Sequence, residues 1–193
     1  MPGYPVNDKH EAITDMWRIS QHCFADEIRA EMTLPDKVQL CDITLREGRQ
    51  LPGVSLKRDE VLRIADKLAE AGVTMMQMHH DDPQEMAEVK KRHPHVLIDT
   101  LVHPTAVLNP KLAEPEINLN FDHGADYCSL AFSFSEQQMC LFESMAGGRI
   151  TIEEAIERAI GSTAYAKEKA GPDRKVGCLI QDCTRIPIDR LAE

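Results

Sequence analysis

Residues 38–50 read VQLCDITLREGRQ, an apolar run of strand length that is followed at once by charged side chains. The apolar part, residues 38–44, predicts a buried β-strand, and Arg46 and Glu47 come directly after it. In a barrel of parallel strands, this end of each strand carries the active site. Arg46 is a permanent cation that can hold an enolate or alkoxide, and Glu47 offers a hard oxygen ligand to a divalent metal. An ion pair that caps a loop is the alternative for the same two residues.

The rest of the chain alternates strand-length apolar runs with helical patterns. The apolar runs lie at residues 73–78, 96–102, 127–132 and 176–180. One helical pattern follows Ser55 and ends at Gly72, and another begins with a capping box at Thr151 and ends at Gly171. Several runs are apolar at successive positions, which is typical of parallel strands covered on both faces. The sequence therefore predicts an α/β fold with five parallel strands, in which the Pro-rich stretch 104–116 is the least regular segment.

Composition and charge exclude several classes of function. The chain of 193 residues carries 22 Lys and Arg against 32 Asp and Glu, and a net charge of −10 is the wrong sign for a nucleic-acid partner. No apolar run is long enough to span a membrane, and residues 1–10 lack the apolar core of a secretion signal. We therefore expect a cytoplasmic protein with no membrane partner. The six cysteines form no Cys-x-x-Cys pair, which argues against a disulfide framework or a zinc finger.

The pattern also predicts how the chain is divided. Residues 1–37 carry apolar side chains at helical spacing before any strand begins. We expect a helical N-terminal arm over 1–37 and an α/β domain over 38–193. No linker rich in Gly or Ser marks a further domain.

The residues around Arg46 resemble a known signature. From Thr44 to Val54 the chain reads Thr-Leu-Arg-Glu-Gly-x-Gln-x-Pro-Gly-Val, which resembles the opening signature of the isopropylmalate, homocitrate and citramalate synthases. These enzymes belong to the DRE-TIM metallolyases, together with hydroxymethylglutaryl-CoA lyase. Residues 181–185, Gln-Asp-Cys-Thr-Arg, resemble the family's Glu-Asp-x-Thr-Arg after the fifth strand, and residues 24–35 resemble an arm of some bacterial members. The resemblance implies a TIM (β/α)8 barrel.

The resemblance also implies a role for each polar residue near the strand ends. Arg46 would polarise the substrate carbonyl and stabilise the enolate, and Gln77 would take part in catalysis. Glu47 would be the one metal ligand from the first strand, for Zn, Mg or Mn. Contacts with the acyl-CoA or the 2-oxo acid are implied at six further positions: Thr44, Gln50, His103, Ser133, Ser135 and Thr184. A solvated loop is the alternative for the histidine, and hydroxyls at strand ends also satisfy loose backbone groups.

The chain departs from the family's pattern at several positions. Gln77 stands where the family has a glutamate on the second strand, and an amide keeps a hydrogen bond but loses the negative charge. Gln181 also replaces an acid, and Arg49 stands where glutamate is usual. Gly177 and Leu179 occupy positions at which homocitrate synthases bind a distal carboxylate. The departures disfavour a homocitrate-type substrate and leave the role of residue 77 in acid-base chemistry open.

A complete metal site is not expected from this sequence. The resemblance places a His-x-His pair of ligands on the seventh strand, whereas no histidine follows His123. The run His79-His80-Asp81-Asp82 is better interpreted as a solvated loop, because metal sites usually draw their ligands from separated elements. An eight-unit barrel takes ~250 residues, and the fifth predicted strand ends at residue 180. We therefore expect about the first five β/α units of a barrel, completed by a missing C-terminal half or by a partner chain.

Three functions are compatible with this resemblance. The first is the N-terminal part of a divalent-metal-dependent acyltransferase, which condenses an acyl-CoA with a 2-oxo acid in a Claisen-type reaction. The second is a non-catalytic barrel fragment or binding module that has lost the chemistry. The third is a carbon-carbon lyase of the same superfamily, which the synthase-like Pro52-Gly53-Val54 disfavours. The complete protein is expected to be a homo-oligomer.

Overall fold

The computed structural model describes residues 38–79, 82–145 and 148–186, together with Asp26, Ala30 and Thr33. The chain divides into two units, Met1–Val38 and Gln39–Glu193, and the second contains the sheet and the candidate site. Apart from the three single residues, the predicted arm over 1–37 lies outside the described residues. In the described part of the chain, no helix is long and apolar enough to cross a membrane.

Four parallel strands form the sheet of the described residues: β1 (Met75–Met78), β2 (Leu97–Val102), β3 (Tyr127–Phe132) and β4 (Lys175–Ile180). Their order across the sheet is the same as their order along the chain. This arrangement is that of consecutive strands in the wall of a (β/α) barrel, in which each parallel neighbour is reached through a helical connection. The predicted α/β fold is therefore confirmed, and four of the five predicted strands are present.

Seven α-helices of the described residues surround and connect the strands: α1 (Thr44–Glu47), α2 (Arg58–Glu70), α3 (Pro83–Arg92), α4 (Pro104–Val107), α5 (Pro110–Asp122), α6 (Glu136–Met145) and α7 (Ile152–Ala170). Both helices expected from the sequence are confirmed. Thr151 and Glu154 form the predicted capping box at the start of α7. Gly72 and Gly171 follow α2 and α7 with φ of 90° and 65°, a backbone conformation that glycine adopts without a steric cost.

The stretch 104–116 is helical, so its predicted irregularity is wrong. Pro104 and Pro110 each occupy the first turn of a helix, where a backbone N–H has no partner within the helix and its loss costs nothing. The side chain of Asn109 accepts the backbone N–H of Lys111 at 3.2 Å and caps α5. These prolines therefore mark where two helices begin.

The first predicted strand, residues 38–44, is also corrected. Its pairing with the sheet is limited to Asp42, whose N–H donates to the Met75 carbonyl at 2.9 Å and whose carbonyl accepts the Gln77 N–H at 2.7 Å. Val38 and Leu40 are 74% and 82% exposed. The chain then turns into α1 directly after Asp42, which ends the pairing. The segment therefore lies beside β1 at the sheet edge without forming a regular strand.

The two faces of the sheet have different chemistry. Side chains alternate along each strand, and one set, including Met76, Ile98 and Leu130, is fully buried in the apolar core with the helices. The opposite face corresponds to the interior of a barrel. It carries a polar row on β1, β2 and β3, formed by Gln77, Asp99 and Ser129, and Gly177 lies beside Ser129 on β4.

Candidate active site

Helix α1 carries the charged pair that follows Asp42. The Asp42 carboxylate accepts the backbone N–H of Thr44 at 2.9 Å and the Thr44 hydroxyl at 3.3 Å, which starts the helix. Leu45 is buried in the core and anchors it. Arg46 and Glu47 form an ion pair with each other, in which the arginine side chain is 18% exposed and the glutamate 49%. The predicted substrate contact Thr44 therefore stabilises this turn, and Glu47 keeps access to solvent.

Arg49 connects this turn to helix α3. Its Nη1 donates to Oε2 of Glu85 at 2.5 Å, and the Glu85 side chain is 3% exposed. A buried carboxylate without a cationic partner is strongly unfavourable, so Arg49 neutralises a charge that the fold has placed inside. The departure from the family's usual glutamate at position 49 is thereby explained by a structural partner on α3.

A small cavity lies beside Arg46 at the carboxyl ends of β1 and β2. Its volume is about 30 Å³, and its lining consists of Arg46, Gln50, Met78, His79, Leu101 and His103. The cavity therefore brings together three of the predicted site residues, and it has room for a water molecule. Leu101 and Met78 supply its apolar wall.

Two histidines border this cavity. Nε2 of His79 lies 3.5 Å from Nε2 of Gln50. Nδ1 of His103 lies 2.9 Å from the hydroxyl of Thr105 and accepts the Thr105 N–H at 3.4 Å, so the ring caps α4. The interpretation of residues 79–82 as a solvated loop leaves His79 without a role, whereas His79 lines the cavity, and its position directly after β1 is the signal that could have identified it. His80 and Asp81 of the same run lie outside the described residues.

The polar row behind the cavity centres on Asp99. Its Oδ2 accepts Nε2 of Gln77 at 2.5 Å, and its Oδ1 accepts the Ser129 hydroxyl at 2.9 Å. Asp99 is 6% exposed. Burial raises the pKa of Asp99, while the bonds from Gln77 and Ser129 and the cation of Arg46 oppose the rise. Asp99 was missed in the sequence, although a charged residue inside the apolar run 96–102 is the signal that could have identified it.

The serines after β3 form a second polar cluster. Ser133 and Ser135 are buried, and the Ser135 hydroxyl donates to Oδ2 of Asp182 at 2.5 Å. Nε of Arg185 donates to the other oxygen of Asp182 at 2.6 Å. The bonds from Arg185 and Ser135 hold the pKa of Asp182 below its usual value. These contacts tie the turn after β4 to the loop after β3.

The predicted substrate contacts Ser133, Ser135 and Thr184 therefore do not line the cavity beside Arg46. The two serine side chains are enclosed in the cluster with Asp182, and Thr184 is exposed on the short 3-10 helix Cys183–Arg185. The cluster instead connects the loop after β3 to the turn after β4, at the carboxyl ends of these strands.

The described residues do not make up a metal site. Over 38–79, 82–145 and 148–186, no group of three His, Cys, Asp or Glu side chains is placed to hold one ion. The exposed carboxylate of Glu47 is chemically suited to a divalent cation, yet it is a single ligand, and catalytic sites normally use three from the protein.

Comparisons with known proteins agree with the signature around Arg46. The HMGL-like family matches residues 37–193. The putative (R)-citramalate synthase CimA of Methanopyrus kandleri is 30% identical over 169 residues, which cover 86% of this chain and 31% of that protein. The 2-isopropylmalate synthase of Brevibacillus brevis is 29% identical over 161 residues, which cover 81% of this chain and 29% of that protein. The chain thus spans about a third of the length of these relatives.

Solved structures agree on the architecture. Type I 3-dehydroquinate dehydratase from Clostridium difficile superposes with a TM-score of 0.52 at 12% identity, over 80% of this chain and 55% of that one. At this identity the likeness concerns the fold alone, which is the parallel α/β arrangement described above. With the family match over most of its length, the chain belongs to the HMGL-like family of DRE-TIM enzymes.

Proposed function

We propose that this chain is the N-terminal part of a divalent-metal-dependent acyltransferase that condenses an acyl-CoA with a 2-oxo acid. The observation that carries the proposal is the juxtaposition of Arg46, Gln50 and His103 around one cavity at the carboxyl ends of the strands. Glu47 lies beside them with an exposed carboxylate. Active sites of parallel barrels are built at this end of the strands.

The proposed reaction would use Arg46 as its cation. In the proposed reaction, the α-carbon of the acyl-CoA loses a proton and attacks the keto carbon of the 2-oxo acid, and a carbon-carbon bond forms. The keto oxygen takes up the electron pair and then a proton, and water cleaves the thioester to release CoA. Arg46 would bind the keto oxygen and stabilise the negative charge that develops on it. Gln50 and His103 would orient the 2-oxo acid beside it.

The metal belongs to the complete protein in this proposal. Glu47 would supply one oxygen ligand, and the others would come from outside this chain, from a C-terminal half or a partner chain. A bound divalent metal of the Zn, Mg or Mn type would polarise the 2-oxo acid. The related synthases are roughly three times as long as this chain, which leaves room for the remaining ligands in a complete protein. For that complete protein we propose a citramalate- or isopropylmalate-type substrate, a cytoplasmic location and a homo-oligomeric form.

A non-catalytic barrel piece is the second candidate. Two observations favour it. Arg46 is engaged by Glu47, and both serines after β3 are buried, with Ser133 bonded to Ser135 and Ser135 bonded to Asp182. In a binding module these contacts would be permanent, and the residues would have no catalytic role. In an enzyme, the Arg46–Glu47 pair would open when substrate and metal bind.

Turnover by the complete natural protein tests the proposal. The protein is incubated with acetyl-CoA, a divalent metal and a panel of 2-oxo acids, and release of the CoA thiol is followed. We expect release that depends on one 2-oxo acid and falls sharply in Arg46→Ala, with Arg63→Ala, an exposed arginine of α2, as the matched control. Absence of release with every 2-oxo acid, in a protein shown to bind metal, contradicts the synthase and leaves the binding module.

A further inference from the structure

The polar row on the inner face of the sheet is held by hydrogen bonds between side chains of neighbouring strands. Asp99 lies at the centre of β2, and each of its carboxylate oxygens accepts a bond from a different neighbouring strand, Gln77 on β1 and Ser129 on β3. The carboxylate is therefore fixed from both sides. Because the Gln77 amide gives its NH₂ group to Asp99, its orientation is fixed as well.

β4 makes room for this arrangement. Gly177 is in register with Ser129, and a Cβ at position 177 would lie 2.8 Å from the Ser129 hydroxyl oxygen. Such a contact is too close, so any larger residue would turn the hydroxyl away from Asp99. All four strands thus contribute to holding one buried carboxylate.

We propose that Asp99 is a positioning residue of the site, which holds the Gln77 amide in place and carries a negative charge on the same face of β2 as Leu101, a residue of the cavity beside Arg46. The inference rests on the function proposed above and adds to it a residue outside the signature. Residue 77 on β1 is a neutral amide in this chain. The negative charge lies on the neighbouring strand β2, on Asp99, to which Gln77 donates a hydrogen bond.

Two neighbouring groups, Arg46 and Cys41, interact with the charge of Asp99. Asp99 precedes Leu101 by two positions on β2, so it shares a face of that strand with a residue that lines the cavity beside Arg46. The Arg46 cation acts to lower the pKa of Asp99. On the other side, burial together with Asp99 and Asp42 raises the pKa of the Cys41 thiol to about 11. Cys41 therefore stays uncharged at neutral pH.

The interaction of Asp99 with Arg46 is testable in the complete protein without any activity. The carboxyl carbon of Asp99, assigned with Asp99→Asn, is titrated by NMR in the wild type and in Arg46→Gln. We expect the pKa of Asp99 to rise further in Arg46→Gln, because a stabilising cation is gone. Arg46→Lys keeps the charge and should leave most of the wild-type value, and the exposed Arg63→Gln is the control. An unchanged pKa in folded Arg46→Gln would overturn the interaction.

A charge swap tests the positioning role in the complete enzyme. Asp99→Asn should lower kcat by about 10- to 100-fold, as loss of an outer-sphere partner does, with a much smaller change in KM for the 2-oxo acid. Gln77→Glu combined with Asp99→Asn moves the carboxylate to β1, restores one donor and one acceptor, and should recover most of kcat. Asp126→Asn is the control, because Asp126 is a hydrogen-bonded carboxylate whose partners, Lys90 and the Ile98 N–H, lie outside the site.

The two proposals fail in different ways. If the wild type has no synthase activity, the proposed function is wrong, while the titration still decides whether Asp99 interacts with Arg46. If the wild type is active and folded Asp99→Asn keeps full kcat, Asp99 is not a positioning residue and the proposed function stands. A loss of kcat that the swap does not recover, at a temperature where both variants are folded, also overturns the positioning role.

Discussion

The guanidinium of Arg49 forms an ion pair with the buried carboxylate of Glu85 and so joins the turn that carries Arg46 to helix α3. The contact is made between residues 36 positions apart in the chain. This directional contact holds the turn after Asp42 against α3, the helix that follows β1. The site is therefore supported by an interaction outside the cavity.

Removing Arg49 should destabilise the fold. Arg49→Ala leaves Glu85 buried without its cation, and such losses cost ~3 to 5 kcal/mol when both partners are buried. Because Arg49 is 19% exposed, we expect a smaller loss, about 2 to 3 kcal/mol in the free energy of unfolding by urea. Arg58→Ala is the control: its pair with Asp82 is exposed, so the loss should be about 0 to 1 kcal/mol. Equal losses in the two variants would contradict the role of Arg49.

Local features of the fold were predictable from the sequence. The capping box at Thr151 and the glycines after α2 and α7 each act on residues only a few positions away in the chain. The sequence pattern alone therefore identifies these helix ends. The segment 38–44 was not predictable, because an apolar run forms a strand only where neighbours pair with it. Here only Asp42 is paired, and its side chain starts α1 instead.

The candidate site was predictable in its signature and not in its assembly. Arg46, Gln50 and His103 follow from the resemblance, but their meeting around one cavity depends on how three separate segments pack. Asp99 has partners 22 and 30 residues away, on two other strands. No local pattern reports such a network, and the same is true of the contact between Ser135 and Asp182.

Acid should weaken the contribution of Asp182 to stability. The bonds from Arg185 and Ser135 lower the pKa of Asp182 in the folded state, so its stabilising effect is present above the ordinary carboxyl pKa. The effect is lost as the pH falls from that ordinary value through the lowered folded one. The difference in unfolding free energy between wild type and Asp182→Asn should therefore shrink between pH 7 and acid. Thr184→Ala, on the exposed side of the same turn, should keep the wild-type pH dependence.

Two glycine substitutions should have opposite effects. Gly177→Ala turns the Ser129 hydroxyl away from Asp99 and should cost about 1 to 3 kcal/mol, because a buried acceptor loses its donor. Gly161→Ala in α7 meets no atom within 4 Å and should stabilise the protein by about 0.5 to 1 kcal/mol through helix propensity. Thermal unfolding of both variants measures the contrast. A stabilised Gly177→Ala would mean that the Ser129 bond has no value.

Gln77→Glu should create a pH-dependent defect. It places a second carboxyl at hydrogen-bond distance from Asp99, so one of the two must take up a proton for the pair to remain buried. The midpoint of thermal unfolding should fall further below that of wild type at pH 8 than at pH 5. Gln137→Glu, exposed in the first turn of α6, is the control and should show no such trend.

In the complete enzyme, a gain in turnover of ~10²- to 10⁴-fold would instead show that residue 77 acts as a general acid-base group when charged.

Arg46→Ala and Glu47→Ala should separate charge stabilisation from metal binding in the complete enzyme. Loss of a donor that faces charge developing in the transition state costs ~2.7 to 4 kcal/mol, or about 10²- to 10³-fold in kcat. We expect Arg46→Ala to show that loss while the purified protein keeps its bound metal.

Glu47→Ala should show the reverse order. Because its carboxylate is a half-exposed ligand-type group next to Arg46, its removal should lower metal content first, and activity should return in part at high metal concentration. Metal content by mass spectrometry and kcat at saturating metal are measured on both variants. If both lose metal to the same extent, the ion pair between them is what holds the site together, and the two roles cannot be assigned to separate side chains.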